Sequence, residues 1–80
     1  MKKFISEIRG KTVTTGDGLI LGVLDNVVID TETGEIQHLL IKPSDDLEIR
    51  GYQMDAKGRL VLPFKSMKSV KDVVVVDLIK

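Results

Sequence analysis

The residues Gly22–Pro43, GVLDNVVIDTETGEIQHLLIKP, decide the fold, because two runs of aliphatic and β-branched residues flank the polar stretch 30–34. A short polar connection that ends in Gly34 is typical of a β-hairpin, since glycine tolerates the positive φ of the last loop residue. The apolar residues of the first run change phase: Val23, Val27 and Ile29 share one phase, and Leu24 and Val28 share the other. This pattern predicts a curled, bulged sheet that closes into a small barrel.

Alternating apolar residues between glycine-containing turns predict further strands along the chain. The six predicted strands lie near residues 11–15, 20–30, 35–42, 52–55, 59–64 and 73–78. Short helical turns are predicted at Phe4–Gly10, where apolar residues precede a glycine at helical spacing, and at Met67–Val70, where two apolar residues lie three apart. The predicted fold class is therefore all-β, a small six-stranded barrel with one or two short helical turns.

The length of the chain limits the size of its core. The 80 residues predict a single domain over residues 1–80, and a domain of this size buries only about 60 to 65% of its unfolded surface. The sequence has no cysteine, which excludes disulfides and thiolate metal sites. Association with a second copy is the remaining obvious way to stabilise so small a core.

The charges are balanced, with twelve basic and twelve acidic residues and a formal net charge of zero. No overall basic field exists to attract a phosphate backbone, so nucleic-acid binding is not expected. No apolar run approaches the roughly 18 residues of a membrane span, and the first residues lack the long apolar segment of a signal peptide. We therefore expect a cytoplasmic protein with no direct membrane insertion.

The valine run Val73–Val76 makes the last predicted strand apolar on both faces. Half-solvated strands avoid this pattern, and an exposed strand of this composition invites aggregation. Either the N-terminal turn, with Phe4 and Ile8, or a second subunit must cover the outer face, and we favour the second subunit. The residues predicted at the interface with a dimer mate or another partner are Val73, Val74, Val75, Val76, Leu78 and Phe64.

Reactive residue types are sparse, and each has a structural interpretation. His38 is the only histidine and lies in a predicted strand, so a surface or edge side chain is favoured over a general base. The acids around Asp30 lack the ligand spacing of an EF-hand loop. The glycines at 16–18 precede a strand rather than the helix that a phosphate-binding loop requires. We predict no catalytic residue, no metal and no cofactor, and therefore no enzymatic activity.

Lysines recur at every third position near the C-terminus, at Lys65, Lys68 and Lys71. This spacing predicts a basic stripe beside the sheet. Two interpretations stay open: the stripe is a solvated face, or it contacts an acidic protein partner.

Several short motifs occur together in an order that resembles the PRC-barrel domain family. They are Gly10-Lys11-Thr12-Val13, Asp17-Gly18, Leu21-Gly22-Val23, the hairpin from Val28-Ile29-Asp30 to Gly34-Glu35-Ile36, and Leu62-Pro63-Phe64 through Val70-Lys71-Asp72 to Val73–Val76. The similarity spans nearly the whole chain. It is greatest to stand-alone archaeal members, through the segment VLPFKS at 61–66.

The resemblance implies a six-stranded β-barrel that serves as a non-enzymatic protein-binding module. Relatives occur in the cytoplasmic part of the H subunit of photosynthetic reaction centres and in a ribosome maturation factor, and stand-alone archaeal relatives include adaptors linked to division-ring assembly. The resemblance therefore implies an adaptor whose partner is another protein, for example one of the archaeal cell-division ring, and the small core and the valine run add the expectation that this adaptor is a homodimer. The alternative is a ribosome- or RNA-associated factor that binds a ribosomal protein. Such a factor needs a basic surface with exposed aromatic residues, and the chain has only Phe4, Tyr52 and Phe64.

Overall fold

A computed structural model describes residues 7–77. Its strands are β1 (Thr12–Thr15), β2 (Ile20–Ile29), β3 (Ile36–Pro43), β4 (Leu60–Pro63), β5 (Met67–Val70) and β6 (Val74–Val76). A 3₁₀ turn, Phe64–Ser66, joins β4 to β5. Helical backbone within the described residues is otherwise limited to Glu7 and Ile8. The predicted all-β fold is confirmed.

The six strands form one sheet in the order β4-β3-β2-β1-β6-β5. The pair β1 and β6 is parallel, and the other neighbours are antiparallel. Both ends of this order meet at one buried cluster, because Leu60 of β4 belongs to it and Met67 and Val70 of β5 pack against it, so the sheet curls around its core. We predicted a barrel closed by hydrogen bonds. Within residues 7–77, however, no ladder joins β4 to β5, so the curled sheet is open at this point.

The outer edge of β4 explains why this closure does not occur. The backbone N–H of Val61 donates to the carbonyl of Gln53 at 2.9 Å, so the preceding segment already occupies part of this edge. Pro63 has no N–H to donate, and its carbonyl accepts a 2.7 Å bond from the Ser66 hydroxyl. The chain then crosses from β4 to β5 through the 3₁₀ turn instead of a strand pair.

The central hairpin forms as predicted. Strands β2 and β3 are antiparallel, and the N–H of Gly34, at φ 77°, donates to the Asp30 carbonyl at 2.8 Å. The register shifts between Leu24 and Asn26, which makes Asp25 the extra residue of a β-bulge. The phase change in the sequence is therefore produced by a bulge, and it keeps apolar side chains on the inner face on both sides of Asp25.

Two predicted elements differ in kind. The stretch 52–55 contributes only an isolated bridge between Met54 and Leu60. Met67–Val70 is a strand and not a helical turn, because a register shift between Met67 and Ser69 lets residues three apart share one face. Met67 and Val70, at the two ends of that strand, both pack against the core. Two apolar residues three apart on one face are also typical of a helical turn, so the sequence pattern did not distinguish the two structures.

The core lies on the inner face of the curled sheet. Its fully buried side chains are Ile8, Val13, Leu21, Leu24, Leu39, Ile41, Leu60, Val74 and Val76. Ile8 enters this core from the turn before β1, and that turn is tied to β2 by a 2.9 Å bond from the Gly10 N–H to the Leu24 carbonyl. Phe4, which we predicted beside Ile8, lies outside the described residues.

Candidate functional site

The outer face of β2 carries apolar side chains where a solvated sheet face carries polar ones. Ile20, Val23 and Val28 are 54%, 41% and 40% exposed. Their pairing partners Thr14, Lys42 and His38 lie on the same face of the neighbouring strands. Exposed aliphatic residues that recur along one strand mark a candidate interaction surface.

One further side chain extends this surface to β6. Val75 of β6 lies between two inward-facing valines and pairs with Thr14 of β1. Leu40 of β3 pairs with Asn26 on the same face, but it is buried and offers no area to a partner. We call the set Ile20, Val23, Val28 and Val75 the outer apolar face.

The residues that we predicted at an interface fall into three groups. Val74 and Val76 are fully buried in the chain's own core, so they are not available to a partner. Val73, Val75 and Phe64 are partly exposed, and Phe64 also packs against the core. Leu78 lies outside the described residues. The available part of the predicted surface is therefore small on β6, and β2 supplies most of the outer apolar face.

His38 lies on the outer face between Val28 of β2 and Pro63 of β4. With Pro63, Phe64 and Lys65 it lines a shallow cleft of about 600 Å³ at the start of β3. His38 is partly exposed, and β3 is paired on both sides, so this histidine is a surface residue that does not lie at a sheet edge. Within residues 7–77 no group of three potential ligand side chains is arranged to hold a metal ion.

Arg59 forms the most extensive polar contact in the described part of the chain. Its Nε donates to Asp55 Oδ2 at 2.8 Å, and its Nη1 donates to Asp25 Oδ2 at 2.8 Å. The hydrogen bond with Asp25, followed by that with Asp55, raises the pKa of Arg59. The backbone N–H of Arg59 is the main reason why the pKa of Asp55 is lowered. This set fixes the turn at 55–58 against β2.

The sequence contained signals for these features that the prediction did not use. The apolar residues of the first run lie in both phases, and the prediction assigned all of them to curvature. After one bulge is allowed for, Val23 and Val28 are left on the outer face. The contact between Arg59 and Asp25 has no such signal, because 34 residues separate them, whereas Asp55 is only four residues from Arg59.

The predicted lysine stripe is only partly open. Lys68 Nζ lies 3.5 Å from Asp77 Oδ2, which offsets its charge. Lys65 and Lys71 are exposed. A partner for this stripe stays a prediction.

Among residues 7–77, no helix has the length and apolar character needed to cross a membrane. The sequence model of the PRC-barrel domain matches residues 1–80. An uncharacterized protein of Methanocaldococcus jannaschii is 31% identical over 68 residues, which cover 84% of this chain and 72% of that protein. The similarity to an archaeal protein agrees with the resemblance seen in the motifs.

Proposed function

Since the chain belongs to the PRC-barrel family, we propose that it is a non-enzymatic protein-interaction domain that acts as a homodimeric adaptor. The observation that supports this proposal is the outer apolar face. Its most exposed members lie on the longest strand, β2, where the sheet continues to both sides. A second copy and another protein are the two kinds of partner that such a face accommodates.

The energetics favour association through this face. A fully buried valine or isoleucine contributes roughly 1.5 to 3 kcal/mol, so the exposed parts of Ile20, Val23 and Val28 offer about 1 kcal/mol each. The strands β3, β2, β1 and β6 of this face have 8, 10, 4 and 3 residues, which at the usual strand spacing and rise give an area of roughly 400 Å². This is below the roughly 800 Å² per partner of a standard interface. We therefore expect a dimer of modest affinity in which loops at the rim add contacts.

A dimer presents every loop twice, which makes a weak contact useful. Two linked binding sites gain avidity towards a repeating partner without any new contact in each site. An adaptor for a filament or another polymer benefits from this arrangement. We propose that this polymer is a component of the archaeal division ring.

Light scattering on the purified protein tests the homodimer. We expect a mass of about twice 8.9 kDa at concentrations of tens of micromolar. A mass of one chain at these concentrations would remove the dimer from the proposal.

Capture of native proteins on immobilised protein tests the adaptor role, provided that each retained protein is then purified and titrated against the domain. A retained protein that binds the purified domain supports the adaptor. If the purified partner is a ribosomal protein, the ribosome-associated alternative replaces the division-ring role. If no retained protein binds after purification, the adaptor role fails.

A further inference from the structure

A second surface, distinct in chemistry from the outer apolar face, opens beside Arg59. It is a cleft of about 470 Å³ between the end of the β2–β3 pair and the turn at 55–58. Its walls are Asp25, Lys42, Pro43, Lys57, Gly58 and Arg59. Three of these six residues are cationic and one is anionic, so the cleft is suited to an anionic group.

Arg59 is held in place for such a group. A guanidinium has five N–H donors, and two of them are used by Asp55 and Asp25 within the described residues. Both donors of Nη2 and one donor of Nη1 remain for a ligand. The side chain is 20% exposed, so its orientation is fixed while part of it still faces the cleft. A donor that is already ordered loses little entropy on binding.

The surrounding charges leave a local positive excess. The bulge at Asp25 also orients Arg9, whose Nε donates to the Asp25 carbonyl at 2.9 Å. Among the charged residues that line the cleft or bond to Asp25 and Arg59, the cations are Arg9, Lys42, Lys57 and Arg59, and the anions are Asp25 and Asp55. Four positive charges against two negative ones leave an excess of two, while the whole chain has a formal net charge of zero.

The two lysines supply this excess. Lys42 and Lys57 are exposed, and neither forms an ion pair with any carboxylate in residues 7–77. Each lysine therefore has its charge available at the mouth of the cleft. Arg59 then offers directed donors at the wall, and the lysines offer mobile charges at the rim.

We infer that this cleft binds a carboxylate-rich segment of a protein partner. A carboxylate matches the paired donors of a guanidinium, and neighbouring acidic side chains match Lys42 and Lys57. A nucleic acid is a poorer match, because phosphate-backbone binding draws on many cations and this chain has no overall basic field. The inference goes beyond the proposed function, because Lys57 and Arg59 lie outside the strands that carry the outer apolar face, and only Lys42 lies beside that face.

Titration with a hexaglutamate peptide tests the inference. In ¹H–¹⁵N NMR spectra at low salt, we expect the backbone amides of Lys57, Gly58 and Arg59 and the Nε–H of Arg59 to shift. A hexaglutamine peptide, which lacks the charges, should leave them unchanged. Absence of shifts at millimolar hexaglutamate would overturn the inference. So would an equal response to hexaglutamine.

The double variant Lys42→Glu/Lys57→Glu should weaken hexaglutamate binding by about tenfold or more. The matched control is Lys65→Glu/Lys71→Glu, which changes the net charge equally at two exposed lysines elsewhere, and it should bind like the wild type. Equal weakening in both variants would show attraction to overall charge only and would refute the site. If the first variant fails to fold, Lys42→Gln/Lys57→Gln replaces it, with Lys65→Gln/Lys71→Gln as control.

Two further measurements separate an acidic protein segment from a phosphate ligand, and the cleft from the proposed dimer interface. Inorganic phosphate and a thymidine oligonucleotide, titrated in the same way, should bind more weakly than hexaglutamate, and tighter binding of either would replace the acidic segment as ligand. Light scattering on the Lys42→Glu/Lys57→Glu variant checks the dimer, because Lys42 pairs with Val23 of the outer apolar face. Loss of peptide binding with an unchanged mass supports the cleft. Loss of both together would assign these lysines to the dimer interface and overturn the inference.

Discussion

Arg59 Nη1 lies 2.8 Å from Asp25 Oδ2, and this bond joins the start of β4 to the middle of β2 across 34 residues of sequence. Asp25 is the extra residue of a β-bulge, and bulges re-aim side chains that a regular strand would place elsewhere. The same residue accepts a bond from Arg9 at its carbonyl. One irregularity in the central hairpin therefore organises three charged groups, Asp25, Arg59 and Arg9, at the middle of β2.

The carboxylate of Asp55 predicts a specific dependence of stability on pH. The pKa of this group is lowered, first by the backbone N–H of Arg59. A carboxyl group with a lowered folded pKa adds stability above its unfolded pKa, which is about 3.9, and the added stability is lost as pH falls through the folded pKa. Asp55→Asn keeps an acceptor oxygen but removes the charge, so we expect it to be less stable than the wild type at neutral pH and equally stable in strong acid.

Urea unfolding from about pH 7 down to about pH 2 measures this difference. The control is Asp72→Asn, an exposed turn residue that makes no ion pair with the described residues, and it should follow the wild type at each pH. A gap between Asp55→Asn and the wild type that stays constant with pH would contradict the assignment.

Of the glycine-to-alanine substitutions, we expect Gly22→Ala to lower the stability of the domain most. A Cβ at this position would lie 2.0 Å from the Lys42 carbonyl oxygen, which belongs to the backbone of the paired strand, and φ is +154°. Gly22→Ala must therefore displace β3 or break the pair, and we expect a loss of about 3 kcal/mol or more in the free energy of unfolding.

Gly16→Ala is the matched control, since a Cβ there meets nothing within 4 Å. It should change stability by no more than about 0.5 to 1 kcal/mol. Urea unfolding compares the two variants, and soluble yield does so if Gly22→Ala does not fold. Equal stability of the two alanine variants would show that β2 and β3 are not in such close contact.

The sequence predicted the central hairpin because its information is local. The polar stretch 30–34 and the apolar runs beside it are adjacent in the chain, and they specify the turn and the strands without distant partners. The two faces of Val73–Val76 are a different case. Their alternation shows that one phase is inside, but which phase faces the core depends on the parallel pairing of Val74 with Val13, and no local pattern encodes that pairing.

Helical spacing and bulged strands also give the same local pattern. Met67 and Val70 lie three apart and both pack on the core, which a 3₁₀ turn and a strand with one register shift satisfy equally. The Arg59 site was missed for a related reason, because Arg59 and Asp25 are brought together only by the bulge and the return of β4. Charged residues at turns have many solvated arrangements, so their types and spacing do not specify one.

Val75→Asp and Val74→Asp should separate association from folding within one strand. Val74 is fully buried, and an unpaired carboxylate there has no compensating partner, so Val74→Asp should unfold the domain. Val75 is partly exposed on the outer face, so Val75→Asp should remain folded and weaken the dimer. Circular dichroism reports folding and light scattering reports mass. A folded Val74→Asp variant would contradict the inward placement of this valine, and a fully dimeric Val75→Asp variant would remove β6 from the interface.

The final prediction places the centre of the dimer on β2. Val23 is 41% exposed on the outer apolar face, between Thr12 of β1 and Lys42 of β3. In the proposed dimer, a carboxylate at this position would face either the same carboxylate of the second copy or apolar side chains. Its desolvation would then oppose association. Val23→Asp should therefore be a monomer at concentrations at which the wild type is a dimer. Ile49→Asp also replaces an exposed aliphatic side chain with a carboxylate, at a residue that is 43% exposed but lies outside the sheet, so it should remain dimeric. Both masses are measured by light scattering, after circular dichroism has shown a folded sheet.

The same two variants test the capture of a partner. Ile49→Asp should retain a captured partner and Val23→Asp should retain less of it, because the dimer supplies the avidity. If Val23→Asp is folded and dimeric, the interface lies elsewhere on the domain, and if both variants are monomers, exposed apolar residues in general, rather than this face, hold the two copies together.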